Sequence, residues 1–111
     1  MDDQKVLFLE LEDVERQRVE RRNAYQEFLR ISTMSAGVYV LAAGSVDRQT
    51  PHKQDELYYV VRGRARMRAG SDDRQLRQGS LIFVAAEVEH LFYEIEEELT
   101  VLVFFAPAET E

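Results

Sequence analysis

Thr50-Pro51-His52-Lys53-Gln54-Asp55-Glu56 runs straight into Leu57-Tyr58-Tyr59-Val60-Val61-Arg62-Gly63, and this stretch decides how the chain is read. It sets His52 and Glu56 four residues apart, just ahead of an apolar run that closes on a glycine. A second segment, from Gly79 through Leu81-Ile82-Phe83-Val84 to His90, ends in the other of only two histidines. Each histidine thus stands near a strand end beside a glycine-punctuated hydrophobic segment. Imidazole and carboxylate are the usual ligands of Zn, Fe, Mn or Ni. One divalent metal ion, its identity open among those four, is the expected cofactor.

Outward from that stretch the chain reads as short β-segments. From Val61 the residues alternate: Val61, Gly63, Ala65, Met67 and Ala69 on one face, Arg62, Arg64, Arg66 and Arg68 on the other. A period of two predicts a half-buried antiparallel strand. Its arginines are expected to meet Glu94, Glu96 and Glu98 across the sheet, or to lie at a dimer seam. Gly63 reads as a turn and Gly70-Ser71-Asp72-Asp73 as a hairpin loop. Upstream, Gly37 to Ala43 and Ala24 to Ile31 are β-type, and Val6-Leu7-Phe8-Leu9 with Leu11 reads as an opening strand. Glu12 to Asn23 carries only Val14 and Val19 as apolar residues, which predicts a short solvated helix or an ordered loop. Downstream, Leu81–Ala85, Leu91–Ile95 and Leu99–Phe105 are strands, and the segment after Pro107 reads as a polar, frayed tail. Eight or nine short strands at this spacing predict an all-β sandwich or barrel.

The totals narrow the function classes. At 111 residues the chain is one domain, 1–111, with a core barrel over about 24–106 and an N-terminal strand and charged segment over 1–23. Net charge is −7, so the surface repels phosphate backbones and no nucleic-acid partner is expected. No apolar run approaches the ~20 residues that cross a membrane, so no membrane partner is expected either. Cysteine is absent, which removes disulfides, thiolate metal sites and a Cys nucleophile. The acidic start and the lack of an apolar leader segment point to cytoplasmic residence. No P-loop, dinucleotide fingerprint or Gly-x-Ser-x-Gly elbow is present.

The two glycine-bounded segments resemble the motifs of the cupin family, small jelly-roll barrels also described as double-stranded β-helices. The family's first motif runs Gly, five residues, His-x-His, three or four residues, Glu, six residues, Gly. Here Gly44 precedes five residues, then Thr50-Pro51-His52, three residues, Glu56, six residues and Gly63. The second motif runs Gly, five residues, Pro-x-Gly, two residues, His, three residues, Asn. Here Gly79 precedes five residues, then Ala85-Ala86-Glu87, two residues, His90, three residues and Glu94. Every spacing is kept without an insertion. The departures are Thr50 for the first His, Ala85 and Glu87 for Pro and Gly, and Glu94 for Asn.

The resemblance implies a small single-domain cupin whose metal ligands are His52, Glu56 and His90. Two histidines and a carboxylate leave positions open for water or substrate. Gln49 and Thr50 are candidates for an extra ligand or for an outer contact to the metal's ligands. Tyr58 and Phe92 stand two residues beyond Glu56 and His90 and are expected to face a pocket, as are Tyr39, Phe83 and Phe104. The expected function is a metal-dependent enzyme of dioxygenase, lyase or isomerase type acting on a small organic molecule. The alternatives are a non-catalytic small-ligand-binding or sensing module with an eroded metal site, and a structural barrel with a dry interior. Resemblance to cupins also implies a homodimer.

Overall fold

The computed structural model describes residues 6–47 and 51–110. One helix, α1 (Leu11–Arg21), precedes six strands: β1 (Tyr25–Ile31), β2 (Met34–Leu41), β3 (Asp55–Ala69), β4 (Asp72–Leu76), β5 (Leu81–Val84) and β6 (His90–Ala106). The strands run antiparallel in the order β1-β2-β6-β3-β4, with β5 paired to the first half of β3. This is the all-β jelly-roll class expected from the sequence, with its short charged helix at the N-terminal side. No helix among the described residues is long and apolar enough to cross a membrane.

Two long strands replace four of the short ones expected. β3 has 15 residues and β6 has 17, and they pair along nearly their whole length. Gly63 is therefore no turn. It is a bulge, with φ at +104° and the pairing register shifting on both sides of it. Its effect is to swap faces. Before it Glu56, Tyr58 and Val60 are buried; after it Ala65 and Met67 are. Without the extra residue, one half of β3 would turn its apolar side chains to water. β6 makes the matching change at Glu94, φ +46°, between buried Phe92 and buried Ile95. The core fills the space between these faces: Val60, Met67, Leu76, Phe92, Leu99 and Val101 form one contiguous cluster.

The N-terminal expectation needs correction. Val6 to Leu9 form no strand, and Leu11 opens α1 instead. A β-type run becomes a strand only where a sheet edge receives it, and Phe8 is 91% exposed. The helix forms despite its thin apolar stripe. Val14 is its one buried residue, and Arg62 of β3 donates to both carboxylate oxygens of Glu15 at 2.6 and 3.0 Å. Glu12 and Asp13 in the first turn and Arg18 and Arg21 in the last complement the helix dipole.

The arginine ladder divides its partners. Arg64 reaches Glu96 and Glu97, while Arg62 holds α1 and both Arg66 and Arg68 converge on Asp73 of β4. Of the expected set of Glu94, Glu96 and Glu98, Glu96 forms a close ion pair and Glu98 acts on Arg62 through its charge alone, because the bulges shift which side chains stand opposite. The final segment is not frayed through Thr110. The Glu109 backbone N–H donates to Ser35 Oγ at 2.9 Å, and Arg30 donates to the Glu109 carbonyl at 2.9 Å.

Candidate metal centre and pocket

Glu56 projects inward from the start of β3 and is 2% exposed; His90, the first residue of β6, is 4% exposed. His52 lies in the segment before β3 rather than on the strand itself. Its backbone is fixed from across the barrel, where Glu87 N–H donates to the His52 carbonyl at 2.7 Å. Beside it, Ala86 N–H donates to Asp55 Oδ1 at 2.9 Å. These two bonds tie the His52 segment to the loop that leads into His90, so the two motif histidines are placed together by backbone contacts. The His52 ring also packs edge-on to Phe105, with centroids 5.2 Å apart.

One ligand atom from each of His52, Glu56 and His90 falls within 4.8 Å of the others. Glu56 Oε1 stands 3.5 Å from His90 Nε2 and 3.8 Å from His52 Nε2. His90 Nδ1 lies 2.9 Å from the Val88 carbonyl, which only accepts, so the ring proton belongs on Nδ1. A neutral ring with its proton there presents the Nε2 lone pair to the centre. Tyr58 Oη donates its single proton to Glu56 Oε2 at 2.5 Å and lies 3.1 Å from His90 Nε2. The imidazole lone pair therefore faces oxygen lone pairs on both sides. A cation is the group that satisfies such a set of converging acceptors, so the residues fit a divalent metal.

Beside this cluster, sharing His52 and Tyr58 with it, lies a cavity of about 210 Å³ lined by Tyr25, Tyr39, His52, Tyr58, Val103, Phe105 and Glu109. It suits a small organic molecule. Burial, then the charge of Glu56 and the bond to it, hold the Tyr58 phenol far above its ordinary range. Burial does the same at Tyr39, helped by its 2.7 Å bond to Asp47, and at Tyr25, helped by the charge of Glu109. All three remain neutral hydroxyls. The Tyr25 hydroxyl is buried without a hydrogen-bond partner. Desolvation raises the Glu109 carboxyl above its ordinary range; His52 pulls it down and Glu56 pushes it up.

Of the residues expected at the site, His52, Glu56, His90, Tyr58 and Tyr39 come together, and Phe92 lies beneath, edge-on to Tyr58 with centroids 5.2 Å apart. Gln49 and Thr50 lie outside the described residues. Phe83 and Phe104 do not line the pocket. Phe83 is 64% exposed on the outer face of β5, opposite Leu57 of β3, and Phe104 shares that parity, also pairing with Leu57. Its neighbour Phe105 points in instead. Leu99 to Phe105 is apolar at every position but Thr100, so no polar alternation marks which face is inward. Tyr25, Val103 and Glu109 carry no local signal either, since each reaches the pocket from an element distant in sequence.

The Cupin_2 family, described as the cupin domain, matches residues 37–106. An uncharacterized protein of Streptomyces coelicolor, SCO3923, is 46% identical over 100 residues, covering 90% of this chain and 95% of that one. The crystal structure of TT1209 from Thermus thermophilus aligns with a TM-score of 0.73 at 21% identity, over 93% of this chain and 99% of that chain. The structure of KdgF from a Halomonas species aligns with a TM-score of 0.69 at 20% identity, over 75% and 76% of the two chains. With the family match spanning both glycine-bounded motifs and the ribbon between them, the chain belongs to the cupin family as a small single-domain member.

Proposed function

We propose that the chain is a metal-dependent enzyme acting on a small organic molecule, with His52 Nε2, Glu56 and His90 Nε2 as ligands of one divalent ion. The observation that carries this reading is the convergence of three candidate ligand atoms within 4.8 Å, in a cluster that shares His52 with a tyrosine-lined cavity. Bound there, Fe, Mn, Ni or Zn would supply Lewis acidity, and Fe(II) in addition reactivity towards dioxygen. The chain's own residues define the rest. Tyr58 holds Glu56 by a hydrogen bond, Phe105 packs against His52, and Tyr25 offers an unpartnered hydroxyl to an incoming polar group. Neutral tyrosines beside a metal centre suit dioxygenase, lyase or isomerase chemistry, in which a substrate oxygen is held and polarised.

A second reading, a non-catalytic ligand-binding module, draws support from Tyr58. Its hydroxyl donates to Glu56, so the carboxylate is already held by the protein's own bond. A homodimer and cytoplasmic residence belong to the same proposal. Leu57, Tyr59, Leu81 and Phe83 form an exposed apolar face on β3 and β5 that a second copy would cover.

The deciding experiment is metal content per chain by elemental analysis on untagged protein purified without chelator, beside His52→Ala. Near-stoichiometric metal that disappears in the variant supports the enzyme reading. No metal in either sample, and none after reconstitution, sinks it; small-molecule binding that survives chelation then favours the module.

A further inference from the structure

We infer that Glu109, on the segment after β6, is a positioning residue for His52: its carboxylate holds the imidazole proton on Nδ1 and turns the Nε2 lone pair towards Glu56. The purpose of this arrangement rests on the metal reading above, but the tautomer itself is a property of the protein alone.

Glu109 Oε2 stands 3.2 Å from His52 Nδ1. The contact is a charge pair rather than an aligned hydrogen bond, and the negative charge beside Nδ1 favours the proton on that nitrogen over Nε2. The other ring nitrogen, Nε2, is the one 3.8 Å from Glu56 Oε1. Glu109 does not belong to the group of mutually close ligand atoms, which among the described residues is His52, Glu56 and His90. It therefore stands behind the ligand rather than beside it. His90 has an acceptor at the same ring nitrogen, the Val88 carbonyl, which is hydrogen-bonded to its Nδ1 at 2.9 Å. Metal-binding histidines are regularly held like this, the second nitrogen donating to a carboxylate or carbonyl that fixes tautomer and ring angle.

The carboxylate's position is set by the barrel. Glu109 N–H donates to Ser35 Oγ on β2 at 2.9 Å, and the Glu109 carbonyl accepts from Arg30 on β1 at 2.9 Å. One residue on, Thr110 Oγ1 accepts from Gln54 Nε2 at 2.8 Å, two residues from His52 in the same loop. Ser35 and Gln54 are both buried. Three ties to three different elements thus hold the backbone from which the side chain reaches into the pocket. The segment after the last strand becomes part of the site.

The test uses the full chain, nitrogen-15 labelled and free of metal, at about pH 8.5, above the ordinary imidazole range. Long-range proton–nitrogen correlation spectra report which ring nitrogen of His52 is protonated. The expected result is Nδ1–H in the wild type and in Glu109→Gln, whose amide oxygen still accepts, with a shift to Nε2–H in Glu109→Ala. Glu109→Met, similar in length but without an acceptor, replaces the alanine variant if that fails to fold. Zn(II) affinity, read by competition with a chromophoric chelator, is expected to fall about 10–100-fold in Glu109→Ala or Glu109→Met and by less in Glu109→Gln. An Nε2–H tautomer in the wild type, or no change on removing the carboxylate, overturns the inference. So does a loss of Zn(II) as complete as in His52→Ala with a changed Co(II) spectrum, which would make Glu109 a ligand. A wild type that binds no metal overturns the metal reading, and the spectra alone then decide the tautomer.

Discussion

The carbonyl oxygen of Glu98 occupies the place where a side chain on Gly63 would begin: a Cβ there would lie 2.2 Å from it, with Leu99 Cα at 2.8 Å. The bulge that exchanges the faces of β3 is thus packed directly against β6. This local contact governs both ends of the barrel. It lets Glu56 and Tyr58 be buried on one side of it while Ala65 and Met67 are buried on the other.

Gly63→Ala combines that clash with a side chain at φ +104°, a conformation L residues rarely adopt. A loss of about 3 kcal/mol is expected, from backbone strain and overpacking together. Urea denaturation measures it. A loss under about 1 kcal/mol would show that the bulge relaxes easily and does not set the face exchange.

Glu87 and Glu94 stand where the family motif has Gly and Asn, and both hold left-handed backbone, φ +70° and +46°. Gly and Asn are the residues that enter this region at least cost. The chain keeps the conformation without the residue that favours it, because Glu87 N–H is bonded to the His52 carbonyl and Glu94 forms the β6 bulge. Glu87→Gly and Glu94→Asn should each raise stability, by up to about 1 kcal/mol. Thermal melts that show either variant less stable than the wild type would contradict the strain argument.

Tyr39 and Tyr25 predict the alkaline behaviour. Burial raises both phenols above the ordinary value, while an unfolded chain releases those protons near pH ~10. Below that range the two states hold the same protons and stability is unaffected. Above it the unfolded state binds fewer protons than the folded one, so stability falls as pH rises. Urea midpoints from about pH 9 to 11 should decline, and less steeply in Tyr39→Phe. Equal slopes in wild type and variant would place the sensitivity elsewhere.

Asp73 accepts from Tyr93, Arg66 and Arg68, and the Tyr93 bond is the main cause that holds its carboxyl below the ordinary range. Tyr93→Phe should move the Asp73 titration upward, with Arg66 and Arg68 left as partners. A carboxyl carbon NMR titration reads this directly, and an unmoved midpoint would assign the effect to the arginines.

The sequence alone determined the fold class and singled out the three residues whose candidate ligand atoms lie within 4.8 Å of one another. Motif spacing is local, and His52, Glu56 and His90 kept it to the residue. Period-two alternation likewise revealed Arg62 to Arg68 as a half-exposed strand face. What the sequence left open depends on non-local geometry. Gly63 and Glu94 read as turn and strand residue, because only a paired neighbour distinguishes a bulge from a turn. Phe104 and Phe105 are equally apolar, and inward direction was fixed by register with β2 and β3. Glu109 had no pattern around it at all. Its place beside His52 follows from its own ties to Ser35 and Arg30 and from the tie of neighbouring Thr110 to Gln54, contacts spanning 56 to 79 positions of sequence. The identity and spacing of these side chains are written in the sequence, whereas their orientation is written in contacts that exist only once the strands have paired.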